Sequence, residues 1–357
     1  MGTAMFRLSA ADAIAPAIQR TRIFLFRPFR LGTYLKLCLV AVLTEGGSGG
    51  NFNSSSFGNH HKSPSHAADF SYTPFVFSPL RIAEFVAMSL LVILLCFWLY
   101  YLITRLRFAF FHCLIHNVKE IRPGWRLYRE PAKRFFWLNV VIGFCFLLVV
   151  ALIALPFVAG FWGLFQNVGA GGHPSFAAIF ALLLPLIPII LLIILAGFLV
   201  DVVLRDLMLP HYALENATAG QAWAGAWARI RAEKGPFFVY ALLRLLLPIV
   251  ALIGLFIVLI IPAIIFVVVV AAVEAGIHLS FSGATVGVAM AGVFLEVLVG
   301  VLAVAVGLLV CIAVGGPLST AVRQYALLFY GGRYQVLGNI LWPAPPPVEG
   351  LHVLGTA

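Results

Sequence analysis

The chain has 357 residues, of which 62% are hydrophobic and only 10% are charged, and its formal net charge is +10. Soluble proteins carry about a quarter charged residues, so this composition excludes a soluble globular protein. The apolar stretches are long and continuous rather than alternating, which predicts an all-α membrane protein.

Six apolar runs follow one another along the chain and predict six transmembrane helices. A membrane-spanning helix needs about 20 residues. The first run is shorter than that, so a re-entrant helix stays open as an alternative for it. The runs cover residues 31–44, 82–104, 137–165, 176–200, 237–273 and 283–314.

The cations predict the orientation of these helices. Every Lys and Arg except Lys62 and Arg81 falls on one side of a six-span arrangement. The positive-inside rule therefore predicts a multi-pass protein of the inner (plasma) membrane with both termini in the cytoplasm. The excess positive charge predicts contact with anionic headgroups of the lipid bilayer. It does not indicate nucleic-acid binding, because no basic soluble module is present to carry it.

Short motifs recur along the chain and predict an internal repeat. "HCLIHN" (112–117) resembles "HYALEN" (211–216), and "WRLYREPAKRFF" (125–136) resembles "WARIRAEKGPFF" (227–238). We predict three units of the same orientation, at about 9–105, 117–205 and 217–323, each a basic interfacial helix followed by a transmembrane hairpin.

The chain is predicted to form a single membrane domain over residues 1–342. A Gly/Ser/Asn-rich segment at 46–80 predicts a flexible extracytoplasmic loop, and the Pro-rich end, 343–357, predicts a disordered tail. Thr218 and Gln221 have the spacing of a capping box at the start of an amphipathic helix. The residues expected to anchor the interfacial helices are Trp125, Trp223 and Trp227.

Glu296 stands in an otherwise uncharged run that extends from Ala275 to Val322. Small residues recur with it on one helical face, which predicts close approach of another helix; they are Gly292, Gly300, Ala303, Gly307 and Gly315. A carboxylate on such a face indicates either a transport path or a structural group that reaches the outer surface. Arg244 is a candidate partner for Glu296 if the two helices have a suitable stagger.

Two further groups of polar residues are candidate sites. Asp201 and Arg205 have the i, i+4 spacing of an ion pair at a helix end, which is also compatible with a gate or a partner contact. His112 and His116 lie on one helical face and are weak candidates for a metal site. No third ligand is evident for them, so we predict no metal, no cofactor and no catalytic residue.

Two stretches resemble known families. "RPFRLGTYLKLCLVAVLTEGGSGGNFN" (27–53) resembles the opening of an uncharacterised family of prokaryotic six-helix integral membrane proteins. "LPHYALENATAGQAWAGAWARI" (209–230) is similar to the membrane domain attached to some glycerophosphodiester phosphodiesterases. The hydrolase domain of those enzymes has no counterpart here, so the resemblance implies a membrane protein of unassigned role.

The sequence favours a pore or permease-type transport protein, on the strength of Glu296, the repeat and the prolines within predicted helices. The first alternative is a non-transporting platform that assembles with itself or with membrane partners. The second is a metal-dependent membrane enzyme that uses His112 and His116. We expect the protein not to be an enzyme.

Overall fold

The apolar runs form helices in a computed structural model, which describes residues 8–45, 79–169, 176–282 and 286–343. Those residues are almost wholly helical and contain no strand. The predicted all-α class is therefore confirmed. The predicted loop at 46–80 and the tail at 343–357 lie almost entirely outside the described residues.

Eleven α-helices follow one another in the described ranges. A π-helical segment, Val203–Met208, joins the sixth to the seventh. The helices are α1 (Ile14–Phe26), α2 (Leu31–Glu45), α3 (Pro79–His116), α4 (Ile121–Leu127), α5 (Arg129–Gly169), α6 (Phe176–Val202), α7 (Leu209–Leu214), α8 (Ala219–Ala232), α9 (Lys234–Phe281), α10 (Val286–Gly331) and α11 (Gln335–Leu341).

Five of these helices are long and apolar enough to cross a membrane, which makes the chain a multi-pass membrane protein. The five stretches are Ala83–His116, Arg129–Leu164, Ile179–Leu214, Lys234–Phe281 and Gly287–Gly331. The predicted first span, α2, has 15 residues and is not among them.

Burial divides the described residues into two regions. The buried hydrophobic core lies within residues 8–45, 105–136, 201–244 and 317–342, which we call the base. Beyond the base, the most apolar 18 residues of each long helix include no buried side chain. The base thus packs like a globular protein, whereas the side chains in these apolar stretches are all at least partly exposed.

Two antiparallel hairpins extend from the base. In the α5–α6 hairpin, Gly197 approaches the ring of Phe146. In the α9–α10 hairpin, the rings of Tyr240 and Phe329 stack with centroids 4.2 Å apart. Both hairpins use small residues or aromatic rings where their helices meet, and the α9–α10 hairpin is the longer of the two.

The short helix α2 packs beside the inner part of α10. Tyr34 donates its hydroxyl to the carbonyl oxygen of Ala313 at 2.7 Å. A side chain at Gly316 would overlap Cys38, so glycine is required where the two backbones meet. This contact fixes the position of Glu45, the last residue of α2.

Two helix ends have the same conformation. Asn117 follows α3 with φ of 54°, and Asn216 closely follows α7 with φ of 51°. Asparagine tolerates this left-handed conformation better than most residues, which explains its use where the chain turns out of a helix. The predicted capping box is confirmed, because Gln221 accepts a hydrogen bond from the backbone N–H of Thr218 at 3.0 Å.

Candidate functional site

Seven charged side chains from six helical segments converge inside the base. We call this group the charged layer; its members are Glu45, Arg107, Asp201, Arg205, Asp206, Arg244 and Arg323. Each long helix that contributes, α3, α6, α9 or α10, does so where its apolar run meets the base. The layer therefore marks the boundary between the two regions of the protein.

Asp206 is the centre of this group and is 2% exposed. Its Oδ2 accepts hydrogen bonds from Arg244 Nε at 3.0 Å and from the hydroxyl of Tyr240 at 2.7 Å. Its Oδ1 accepts from Arg323 Nη1 at 2.8 Å. A buried carboxylate with three donors has its charge compensated, so Asp206 ties α9 and α10 to the π-helical segment.

The C-terminal end of α2 supplies a second set of acceptors. Glu45 lies 3.5 Å from Arg244 Nη2 and 3.7 Å from Arg323 Nε. The carbonyl oxygen of Thr44 accepts from Arg107 Nε at 3.1 Å and from Arg205 Nη1 at 3.4 Å. The last carbonyls of a helix carry partial negative charge, so the arginines stabilise this helix end in a buried place.

Asp201 and Arg205 form the ion pair that their spacing suggests, with Arg205 Nε 2.5 Å from Asp201 Oδ1. The π-helical turn that follows contains both Arg205 and Asp206, and both are buried. A π-helical turn changes the direction in which successive side chains leave the helix. Arg205 thereby contacts α2 while Asp206 contacts α9 and α10.

Glu296 lies far from the charged layer, near the other end of the α9–α10 hairpin. Its Oε1 is 3.2 Å from Nδ1 of His278 on the facing helix. Glu274 lines the same open pocket, of about 520 Å³, one turn before His278. Arg244 is not the partner of Glu296, because it is bound to Asp206 and Glu45 in the base.

The distance between the two polar groups matches the thickness of a bilayer. Glu296 is about 40 Å from Arg323 along α10, and Glu274 is about 45 Å from Arg244 along α9, at the helical rise of ~1.5 Å per residue. The hydrocarbon core is about 30 Å thick, and the bilayer with its headgroups is about 40–45 Å thick. When the charged layer lies at one boundary of the membrane, Glu296 therefore falls in the opposite headgroup region.

The small residues around Glu296 face different neighbours along α10. A side chain at Gly292 would overlap Phe281, and one at Gly300 would lie 3.7 Å from Glu274, so both glycines face α9. Gly315 faces Val42 of α2. A side chain at Gly307 would have no neighbour within 4 Å, and Ala303, one turn earlier, is partly exposed.

A model of a family of unknown function (DUF7544) matches residues 8–340. The chain belongs to this family. No curated protein and no solved structure matches the chain. The match extends from the start of the base to α11, so the charged layer and both hairpins lie within the DUF7544 region.

The histidine pair of this DUF7544 member lies in the base. The rings of His112 and His116 are 4.5 Å apart, and His112 packs beside Gly124 and Tyr128. Among the residues that the structure describes, no three His, Cys, Asp or Glu side chains are grouped to hold a metal ion. The metal-enzyme alternative therefore gains no support from the position of this pair.

The tryptophans of the interfacial helices have different surroundings. Trp125 on α4 lies beneath the guanidinium of Arg105, which also donates to its carbonyl oxygen at 3.1 Å. On α8, Trp223 and Trp227 stack with centroids 5.7 Å apart and are 49% and 39% exposed. The buried face of α8 is instead formed by Ala222 and Ala226, so the two stacked rings face outward.

A second polar network in the DUF7544 base lies outside the sites that the sequence predicts. His211 contacts the hydroxyl of Tyr330 at 2.8 Å through Nε2 and the carboxylate of Glu215 at 3.0 Å through Nδ1. Burial raises the pKa of Glu215, but hydrogen bonds from His211 and Tyr334 outweigh it and leave that pKa below its usual value. Burial and the same hydrogen bond raise the pKa of Tyr334. The recurrence of His and Asn in the "HYALEN" motif was the available signal for this network.

Proposed function

We propose that this protein is a non-enzymatic membrane platform that assembles with further copies of itself through its long helices. The observation that carries the proposal is the contrast between a tightly packed base and long apolar helices with no buried side chain in their most apolar stretches. The charged layer fixes where the helices leave the base, and their outer surfaces remain available for contacts within the membrane.

The α9–α10 hairpin has a surface suited to such contacts. A side chain at Gly254 on α9 or at Gly307 on α10 would meet nothing within 4 Å. Helices in membranes associate where small residues allow their backbones to approach closely. These two glycines serve no packing purpose within one copy, which supports a role between copies.

Energy transfer between two differently labelled populations in liposomes tests the proposal. Wild-type protein should show transfer that persists as lipid is added, whereas Gly254→Leu and Gly307→Leu should reduce it to the level of random collision. Gly143→Leu on α5, also without a close neighbour, is the matched control. Random-collision transfer in the wild type, or equal transfer in all variants, would contradict self-assembly through this hairpin.

A six-span topology with both termini in the cytoplasm belongs to this proposal. Arg333 donates to the carbonyl oxygen of Leu8 at 3.2 Å, so these two residues lie on the same side of the membrane. Two residues on one side must be separated by an even number of crossings. Five helices satisfy the requirements for a span, so this topology needs one further crossing. The predicted first span, α2, does not supply it alone, because its last residue, Glu45, lies in the charged layer of the base. The distribution of Lys and Arg supports placing the base in the cytoplasm and the protein in the inner membrane.

Accessibility of introduced cysteines to an impermeant reagent on intact cells tests this topology, in a background without native cysteines. Ser54→Cys in the predicted outer loop should react without permeabilisation. Lys119→Cys in the base should react only after it. Equal reaction of the two sites before permeabilisation would contradict the orientation.

The three-unit repeat and the distant relationship to the membrane domain of some phosphodiesterases remain part of the proposal. Three observations support the repeat: α1, α4 and α8 each precede one longer helix, Asn117 and Asn216 have matching conformations, and two of the units end in antiparallel hairpins.

Transport is a second candidate, and one observation favours it. The α9–α10 hairpin carries titratable groups near both ends, with Glu274, His278 and Glu296 at one end and the charged layer at the other. The described residues between them on this hairpin carry no charge, so a path would have to be completed by another copy. Unchanged proton or ion flux into proteoliposomes with Glu296→Gln would contradict a path through this carboxylate.

A further inference from the structure

An apolar groove opens at the edge of the base, where α5, α6 and α8 meet. Its volume is about 430 Å³, within the range of small-molecule sites. The lining is almost entirely apolar and includes Leu138 and Ile142 of α5, Leu199 of α6, Val203 of the π-helical segment, and Ala219 and Trp223 of α8.

The groove lies close to the boundary between the base and the apolar lengths of the helices. Leu199 and Val203 flank Asp201 of the charged layer in sequence, and Leu138 and Ile142 lie at the start of the apolar part of α5. The groove therefore lies where the apolar lengths of the helices begin. At such a depth a lipid places its first acyl carbons, next to its headgroup.

Two exposed arginines lie on the helices that line this groove. Arg134 precedes Leu138 by one helical turn on the same face of α5. On α8, Trp223 lines the groove and stacks on Trp227, and the guanidinium of Arg231 lies 5.2 Å from the centre of the Trp227 ring. Both arginines are exposed, and no acidic residue lines the groove.

We propose that this groove binds one phospholipid with an anionic headgroup, whose acyl chain lies against the apolar lining and whose phosphate lies between Arg134 and Arg231. The acyl chain alone gives little preference, because the surrounding bilayer offers it a similar environment. The preference for an anionic lipid comes from the two arginines and from the Trp223–Trp227 pair, which holds Arg231 in position.

Photolabelling in nanodiscs tests this site. The probes are phosphatidylglycerol and phosphatidylcholine that carry the same diazirine-modified acyl chain, and labelled peptides are mapped by mass spectrometry. Labelling should fall on peptides that contain residues 138–142, 199–208 and 219–223. For each cation involved, phosphatidylglycerol should label these peptides about fivefold more than phosphatidylcholine does.

Two sets of variants separate the headgroup from the chain. Arg134→Gln with Arg231→Gln should abolish the preference for phosphatidylglycerol but keep the labelling by phosphatidylcholine. Val203→Trp should fill the groove and reduce labelling by both lipids there. Arg122→Gln with Arg126→Gln on α4 is the control, because these exposed arginines do not lie on the groove. Helix content by circular dichroism checks that each variant is folded.

The proposal is overturned if the two lipids label the groove equally in the wild type. It is also overturned if the Arg134 and Arg231 variant keeps the preference, or if labelling is spread evenly over all lipid-facing helices. None of these results depends on self-assembly, so they are independent of the energy-transfer experiment.

Discussion

Replacing Asp206 by Asn should destabilise the protein more than any other change of a single charge. Asn has the size of Asp and keeps one acceptor oxygen, so the variant removes charge without opening a cavity. Arg244 and Arg323 would then remain buried with only Glu45 as a carboxylate partner. Desolvated cations without sufficient compensation are costly, and Asp206 compensates both.

The expected loss follows from measurements on buried ion pairs. Removing one partner of such a pair costs about 3–5 kcal/mol. A typical domain is stable by only about 5–15 kcal/mol, so the variant would lose a large share of its stability. At about 2–4 °C per kcal/mol for a large domain, the midpoint of thermal unfolding should fall by at least about 6 °C.

Thermal unfolding in a mild detergent, followed by tryptophan fluorescence, measures this shift. Asp12→Asn is the matched control, because Asp12 is exposed and, among the described residues, its hydrogen bonds are to the nearby Ser9. A surface change of this kind should alter the unfolding free energy by less than about 0.5 kcal/mol. The variant Arg244→Gln should cost less in the Asp206→Asn background than in the wild type, since the two side chains interact directly.

An unfolding midpoint for Asp206→Asn equal to that of Asp12→Asn would refute this reasoning. Strict additivity of Asp206→Asn and Arg244→Gln would refute it as well, because residues in one buried network must show a coupling energy.

Three further changes have distinct expected results. Gly316→Leu should lower the yield of folded protein, measured by size-exclusion chromatography, because its side chain would overlap Cys38. Gly307→Leu should leave the thermal midpoint of a single copy unchanged, measured by fluorescence, because its side chain would meet no neighbour. Glu296→Gln should change the unfolding free energy by less than about 1 kcal/mol, because its bond to His278 lies in an exposed place. The pKa of Glu215 is lower in the folded protein than in the unfolded chain, so ionised Glu215 stabilises the fold at pH values above the unfolded pKa. The free energy of unfolding should therefore decline as the pH falls through the folded pKa. Glu215→Gln should reduce this decline when unfolding is measured against pH.

The fold class and the long helices could be predicted from the sequence because hydropathy acts locally. A run such as 237–273 has to be a helix in lipid, whatever its neighbours are. The capping box at Thr218 was predictable for the same reason, since its two hydrogen bonds close within one helical turn.

The charged layer was only partly predictable. Asp201 and Arg205 are four residues apart, so their pairing has a local signal. Glu45 stands at the end of a short apolar run and its partners lie on α9 and α10, far along the chain. No periodicity or spacing connects such residues, because their contact depends on how α2 packs against α10. The partner of Glu296 was missed for a similar reason: the register of the α9–α10 hairpin places it opposite His278 rather than Arg244.

The charged layer is better explained by specificity than by stability. Well-packed apolar residues often stabilise a core as much as a buried ion pair does, but they do not select one arrangement among several. Here the helices that meet are long and apolar, and many registers between them would bury similar surfaces. Asp206 accepts from both Arg244 and Arg323 only when α9, α10 and the π-helical turn are in one relative position. A shift of α10 by one turn, about 5.4 Å, would separate Arg323 from Asp206 and from Glu45 and leave its buried guanidinium without a carboxylate partner. The layer thus selects the register of the hairpin at the base, and the contact between His278 and Glu296 lies at the far end of that same register.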